Sequence, residues 1–448
     1  MADARHADGR LGLDRSAVSK AVLIAILFCG TFGLAALRVP IAFAMGLASA
    51  VVLYLMEVPL SVVYVKMTAT VDSWPFLAIP FFLLAGNLMT VGGITTRLVD
   101  LADVLVGWIA GGLSQVVVVV EMILSGMTGS EIGDAAALGS VLVPAMKRSG
   151  YAANYAATIV AAAATMGPII PPSIAFVIYA AINDLSIGRL FLAGIVPGVV
   201  MGLLLMVMQY VMARKHHWPR QPWPTRQRAV RSFIVAFPAL FMPVLIIGGI
   251  LGGVFTATEA GALAVPYALL LAVGVYRELG WRDLPGVLAA TLKDTAAIFV
   301  IIAVAGIFGY VITVLGVGVT LIDFVTGLTK SPWVVLLLLN ILFLIIGLFV
   351  DVTATMLVFA PLFAKVVAAY NIDPVHFAVV FVLNVSIGMM TPPYGLTMYL
   401  MLRIADITMI DFIRAMWPFL TALLVALLLI TYIPAITLWL PNLVLGAR

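Results

Sequence analysis

The sequence predicts an all-α protein that crosses a membrane many times, and two observations carry that prediction. Of its 448 residues 64% are hydrophobic and only 10% charged, whereas soluble domains average about 45–50% apolar and about 25% charged. A soluble core cannot hide that much apolar surface, so lipid must solvate most of it. Apolar runs of spanning length also recur at roughly 21–37, 39–56, 75–93, 152–183, 187–213, 233–255, 257–276, 295–315, 375–402 and 416–440. A chain of this length is then one membrane domain with many spans, not a string of globular domains.

Composition also excludes several function classes. The single cysteine, Cys29, sits in an apolar run and reads as a small core residue; no intrachain disulfide can form. The histidines are His6, His216, His217 and His376. No H-x-x-x-H or C-x-x-C spacing suggests zinc, and no Walker loop suggests nucleotide hydrolysis. A polytopic membrane enzyme would need acid, base or metal groups converging near one membrane face, which this pattern does not offer; no organic cofactor is expected. The polar tail over 1–19 leads into an apolar run without a small-residue cleavage site, so that run reads as a first span and not a signal peptide.

Two regions depart from simple spans. Leu113–Gly126 is apolar but short, breaks at SGMTGSEIGD and resumes through AAALGSVLVPAM. At about 1.5 Å per residue it falls short of the roughly 30 Å hydrocarbon core, so a re-entrant hairpin is expected. Trp333–Phe349, followed by VDVTAT and MLVFAPLF, has the same form. The amphipathic stretches Ile94–Trp108 and Thr320–Lys330 precede the two hairpins and are expected at the interface.

Orientation follows from charge. The linker 214–232 holds six Lys/Arg, three prolines and two tryptophans. It reads as a cytoplasmic loop under the positive-inside rule and not as a nucleic-acid site. Counting from that loop puts 15 of the 24 Lys/Arg inside and the N-terminus outside. The first hairpin then opens from the inside and the second from the outside.

The chain also repeats itself. Its two Pro-Pro pairs, Pro171-Pro172 and Pro392-Pro393, each follow a glycine four residues upstream, Gly167 and Gly388, and each interrupts an apolar span. Asp134 lies ten residues before Pro144, and Asp351 ten before Pro361. The order tip, proline, span, Gly-x3-Pro-Pro thus occurs twice, entering from opposite sides. Inverted repeats with broken helices place a binding site where the halves meet. Positive half-helix starts there suit a carboxylate, and free carbonyls suit Na⁺.

The residues able to carry that chemistry cluster at the tips and breaks. The first tip offers Ser125, Gly126, Thr128, Gly129, Ser130 and Asp134; its break offers Thr165, Gly167, Pro171 and Ser173. The second tip offers Asp351, Thr353 and Thr355; its break offers Asn384, Gly388, Thr391 and Pro392. Hydroxyls and carbonyls bind a hard cation without trapping it. Ser130, Thr165, Ser173, Thr353 and Thr355, with Tyr394 beyond the second break, are assigned to the substrate side, and Asp134 and Asn384 to structural roles. Asp134 and Asp351, taken as matched positions, serve either the site or the cap of the following half-helix, or both. Glu121 and Glu259 read as buried hydrogen-bonding residues or subunit contacts.

At these same residues the sequence resembles the large membrane subunit of tripartite ATP-independent periplasmic (TRAP) transporters. The matching stretches are FFLLAGNLM (81–89), SGMTGSEIGDAAALGSVLVPAM (125–146), GPIIPPSIAFVIYA (167–180) and NIDPVHFAVVFVLNVSIGMMTPPYG (371–395). The resemblance implies an elevator-type carrier in the bacterial inner membrane that imports an organic acid. It also implies Na⁺ coupling with at least two sites, a small four-helix membrane subunit and a periplasmic substrate-binding protein. It carries a sodium role to Ser125, Thr128, Gly167, Pro171, Asp351, Gly388 and Thr391. Tyr394 stands where relatives more often carry a small aliphatic residue, so the substrate side of the site is expected to be reshaped there.

The implied organisation is a tail (1–19), scaffold helices and a first arm (20–110), and the first transport repeat (111–185). Scaffold helices with the basic loop and a second arm follow (186–331), then the second transport repeat (332–403) and a C-terminal segment with the last span (404–448). The alternative is a stand-alone Na⁺/dicarboxylate carrier of similar plan that needs no binding protein.

Overall fold

The computed structural model describes residues 19–37, 39–216, 218 and 220–446. Apart from Ser19, the polar tail lies outside the described residues, as do Arg38, His217 and Arg448. The described residues form helices and no strand. α1 (Lys20–Ala36) and α2 (Ile41–Leu55) precede a short α3 (Ser61–Val71), which no long apolar run had announced. A 3₁₀ turn at Trp74–Leu77 runs into α4 (Ala78–Val91), and α5 (Ile94–Val106) is the first amphipathic stretch.

α6 (Leu113–Thr128) and α7 (Glu131–Arg148) form the first hairpin. Gly129, at φ 63°, ends α6 in the left-handed conformation that glycine tolerates, and the Ser130 side chain caps α7. α8 (Ala153–Ala164) and α9 (Ile174–Asn183) are the halves of the first broken helix. Three long helices follow: α10 (Ile187–His216), α11 (Arg226–Leu251) and α12 (Ala257–Leu269), the last extended by a π-helical turn at Leu270–Val275. α13 (Leu284–Val314) starts well before the expected 295, because Lys293 and Asp294 end the apolar run without ending the helix. Side-chain charge does not interrupt intrahelical backbone bonds.

The pattern then recurs. α14 (Val317–Leu328) is the second amphipathic helix; α15 (Pro332–Gly347) and α16 (Val352–Ala369) form the second hairpin; α17 (Pro374–Met389) and α18 (Leu396–Ala405) are the second broken helix. α14 and α15 meet at a 117° bend. The final expected span is two helices, α19 (Met409–Tyr432) and α20 (Ala435–Leu445), since Pro434 cannot continue the ladder of α19. Among the described residues seven helices are long and apolar enough to cross a membrane, or up to eight if a bent pair is one span. α16 is one of the seven, so length alone does not mark it as half of a hairpin.

The repeat is more regular than the sequence anchors suggested, and in a different register. Glu131 and Val352, Ala153 and Pro374, and Pro171 and Pro392 are each 221 residues apart, and α7 and α16 have 18 residues each. Both Pro-Pro bonds are cis. α9 and α18 each run ten residues and end on an aspartate in the left-handed conformation, Asp184 and Asp406. In this register Asp351 pairs with Ser130, both N-caps, and Asp134 pairs with Thr355, one turn further in. The expected pairing of Asp134 with Asp351, and of Pro144 with Pro361, is therefore offset by one helical turn. Capping is Asp351's role and not Asp134's, because only the residue just before the first turn faces the free N–H groups.

The two repeats interlock. α7 packs on α18 and α16 on α9, so each hairpin lies against the other repeat's broken helix. α10 and α19 pack around them against α6, α8 and α17. α2, α3 and α4 gather with α12 and α13 in a second body. The basic linker is not a free loop: Trp218 packs on Tyr155 at 4.1 Å with the rings tilted, Trp223 meets Trp108 at 4.4 Å, and the Gln221 amide donates to the Gly107 carbonyl. Cys29 is exposed on α1, an apolar position that lipid can cover, and not in the core. Glu259 is also exposed; it forms a capping box with Thr256 at the start of α12.

In the second repeat the backbones of α15 and α17 touch. A Cβ added at Gly388 would lie 2.6 Å from the Gly347 Cα. One turn away the Asn384 amide donates to Asn340, which donates to Thr431 of α19. Gly388→Ala is expected to cost about 1–3 kcal/mol by overpacking, read as a lower unfolding midpoint in detergent. Gly248→Ala, where a Cβ meets nothing within 4 Å, should leave the midpoint in place.

Candidate substrate and cation site

The two hairpin tips and the two breaks meet around a cavity of about 100 Å³. Ser130, Glu131 and Ile132 line it from the start of α7, Asp351, Val352 and Thr353 from the start of α16, and Ile174 and Ala175 from the start of α9. Leu83 of α4 and Ile298 of α13 close it from the second body. Three helix N-termini thus converge on one space, each end equivalent to roughly +0.5 charge. No Lys or Arg lines the cavity; its charged residues are Glu131 and Asp351.

Each tip is held by local capping. The Ser130 hydroxyl accepts from the Gly133 amide at 3.3 Å, and the Asp351 carboxylate from the Ala354 amide at 3.1 Å. At the first break the Ser173 hydroxyl accepts from the Phe176 amide and donates to the Pro168 carbonyl. Thr165 donates to the Ala162 carbonyl at 2.7 Å, and Thr391 to the Ile387 carbonyl at 2.7 Å. Such bonds back to the helix keep hydroxyls satisfied in an apolar interior.

Under the first tip lies a buried polar cluster. Ser125 donates to the Glu121 carbonyl at 2.7 Å and lies 3.0 Å from the Glu121 carboxylate. Thr128 donates to Asp134. Glu121 and Asp134 are fully buried, and their carboxyl groups face one another, each with one oxygen that no hydroxyl or amide reaches. Asp134 fits because Gly167 has no side chain: a Cβ there would stand 2.8 Å from the Asp134 Oδ2. The Pro171 carbonyl faces Gly126 across the same gap. The equivalent of Asp134 in the second repeat, Thr355, is also fully buried, and its hydroxyl has no partner.

The expected residues therefore divide. Ser130, Thr353 and Asp351 line the cavity. Ser125, Thr128, Gly167 and Pro171 gather behind the first tip, and Gly388 lies behind the second against Gly347. Thr165, Ser173 and Thr355 are buried outside the cavity lining, and Asn384 joins the α15–α17 contact. Tyr394 is 57% exposed and meets Phe349 in a tilted ring contact at 5.2 Å, outside the lining. Three residues escaped the sequence reading: Glu131, Ser386 and Thr397. The Thr397 hydroxyl donates to Glu131 at 2.5 Å. The cost of a carboxylate at a hairpin tip was the one available signal.

A family model described as "Tripartite ATP-independent periplasmic transporter, DctM component" matches residues 28–436. The chain belongs to the DctM family of TRAP transporter components. It is 41% identical to a C4-dicarboxylate TRAP transporter large permease protein of Pseudomonas aeruginosa, over 84% of this chain and 88% of the relative. It is 38% identical to a sialic acid TRAP transporter large permease protein of Vibrio cholerae, over 85% and 89%. The crystal structure of the Alcanivorax borkumensis YdaH transporter shares the fold at TM-score 0.61 and 16% identity, covering 83% of this chain and 88% of that one. This DctM-family chain is therefore a multi-pass membrane protein and a large permease of the TRAP type. Its relatives are transport permeases, not enzymes.

The tip of the first hairpin has no room for a side chain. A Cβ on Gly129 would lie 2.3 Å from the Pro172 carbonyl, at a φ of +63°. Gly129→Ala is expected to push the tip off the break and to cut uptake by about ten-fold or more at unchanged expression. Uptake within two-fold of wild type would show that the tip and the break need not touch.

Proposed function

We propose that this large permease imports a small organic acid across the bacterial inner membrane, driven by Na⁺, with the acid handed over by a periplasmic binding protein. The observation that carries the reading is the convergence of three helix N-termini on a cavity that holds no Lys or Arg. Half-helix dipoles attract a carboxylate, each worth roughly 0.3–2 kcal/mol. That is too little to overcome Glu131 and Asp351 at the same cavity without added positive charge. Bound cations supply it. The names of relatives point to organic acids, C4-dicarboxylates for one and sialic acid for another.

Na⁺ is placed behind each tip. Ser125, Thr128, Gly167 and Pro171 serve the first site and Asp351, Gly388 and Thr391 the second. The donor-free oxygens of Asp134, Glu121 and Thr355 support the assignment, since buried oxygens without donors suit a hard cation. Ser130 and Thr353 face the acid. The cavity is smaller than the roughly 300–1,000 Å³ typical of ligand pockets, so the tips must part to admit it. A second cleft of about 290 Å³, lined among others by Thr70, Phe76, Ile182, Gly306, Gly309 and Pro361, separates the two bodies near the cavity.

In this reading the hairpins are re-entrant, the repeats are inverted, and the interlocked repeats move as an elevator against α2–α4, α12 and α13. Because α10 and α19 pack on the repeats, they belong to the moving body, which extends it beyond 111–185 and 332–403. The tripartite description of the family supports a small membrane subunit and a binding protein as partners.

Asp351→Ala tests the ion assignment: uptake should need a several-fold higher Na⁺ concentration, while an unchanged Na⁺ dependence would leave Asp351 as a helix cap alone. A second measurement addresses the partners. In liposomes with a Na⁺ gradient the chain by itself should take up a micromolar acid poorly, and adding the small subunit and binding protein should restore transport. Robust uptake by the chain alone would instead favour the stand-alone carrier.

A further inference from the structure

We infer that Glu131 ties the tip of the first hairpin to the broken helix of the second repeat, so that the two halves of the transport unit respond to ligand together. The inference rests on the transport reading above but concerns a residue to which that reading gives no role. Glu131 is the first residue of α7 and is 3% exposed. Its Oε1 accepts the Thr397 hydroxyl at 2.5 Å, across 266 residues of sequence. Thr397 lies in the first turn of α18 and is fully buried. The Ser386 side chain of α17 faces the same carboxylate but makes no hydrogen bond to it. The carboxylate therefore sits in the fork between the two half-helices of the second break.

The backbone of the same residue touches the first break. A Cβ on Gly167 would stand 3.1 Å from the Glu131 amide nitrogen. One residue at one tip thus contacts both breaks, which are the segments expected to shift when a cation or an acid binds.

The mirror position does not reproduce the link. In the 221-residue register Glu131 corresponds to Val352, Thr397 to Phe176 and Ser386 to Thr165. Valine and phenylalanine can pack but cannot bond, and the Thr165 hydroxyl is engaged within its own helix. A buried carboxylate with no cation beside it is costly, and its place at the start of α7 offsets only part of that cost. Packing alone would be served by an apolar residue, as it is at Val352. A single polar strut in an otherwise apolar contact is directional, so movement of α18 is passed to the first tip without slipping.

Glu131 is a positioning residue in this account, and its effect should appear in coupling more than in fold. Uptake by the assembled three-component transporter in proteoliposomes is measured against Na⁺ concentration for Glu131→Gln, Glu131→Leu, Thr397→Val and the Leu/Val double variant. Wild type should show a steep, cooperative Na⁺ dependence. Glu131→Leu and Thr397→Val should each flatten it toward a simple hyperbola and raise the half-saturating Na⁺ concentration roughly ten-fold, with a smaller change in maximal rate. The double variant should be no worse than either single one, as for two ends of one bond. Glu131→Gln, which keeps an oxygen for Thr397, should retain the steep dependence. Additive losses in the double variant, or a cooperative Na⁺ dependence in Glu131→Leu, would overturn the strut. A wild-type transporter with no Na⁺ dependence would overturn the transport reading and the strut with it, an outcome separate from the other two.

Discussion

The fold turns on one constraint: a helix that stops inside hydrocarbon leaves backbone N–H and C=O groups that lipid cannot satisfy. Each such group costs several kcal/mol unless it finds a partner. In the re-entrant arrangement proposed above, the two breaks, at 165–173 and 390–395, and the two tips, at Gly129 and Val350, all raise this problem at once. Contact between broken ends answers it at the first tip and break, whereas Phe349, Pro393 and Tyr394 at the second stay exposed. Gly129 lies against Pro172, Gly167 against Asp134, and Gly347 against Gly388, with Ser130, Ser173 and Asp351 capping the helices that restart. Small residues occur at these contacts because backbones must come together there.

The same constraint gathers the polar groups. Helix starts converge where the ends converge, so the cavity acquires three positive half-helix ends with no basic side chain. Unpartnered oxygens of Glu121, Glu131, Asp134 and Thr355 lie in the hairpin helices that form the tips, while others, such as those of Ser49, Thr95, Gln209 and Thr295, lie elsewhere. The outer walls of the cavity, Leu83 and Ile298, are apolar and come from the other body.

Symmetry in the backbone coexists with asymmetry in the chemistry. Helix lengths and cis prolines agree across the 221-residue register, yet the side chains under the tips do not. Aspartate faces threonine as Asp134 and Thr355, serine faces aspartate as Ser130 and Asp351, and glutamate faces valine as Glu131 and Val352. The first repeat therefore carries most of the buried carboxyl groups, and its tip reaches into the second repeat through Glu131. The two halves share a scaffold but differ in the side chains they bring to their tips.

The sequence by itself determined the helical membrane class, the two hairpins, the two breaks and the existence of a repeat. Hydrophobic run length, glycine spacing and proline pairs are local signals that lipid solvation converts directly into structure. It also named residues that the fold brings together, since Ser125, Thr128, Gly167 and Pro171 cluster behind the first tip. Tertiary structure alone decided the register, because caps and not prolines set where a helix begins, and so it moved Asp134 one turn away from Asp351. It alone withdrew Thr165, Ser173, Thr355 and Tyr394 from the cavity lining, since the direction of a side chain depends on the helices packed around it. Glu131 shows the limit most clearly. Its partner is 266 residues away, and no local pattern encodes a contact made only when one repeat closes on the other.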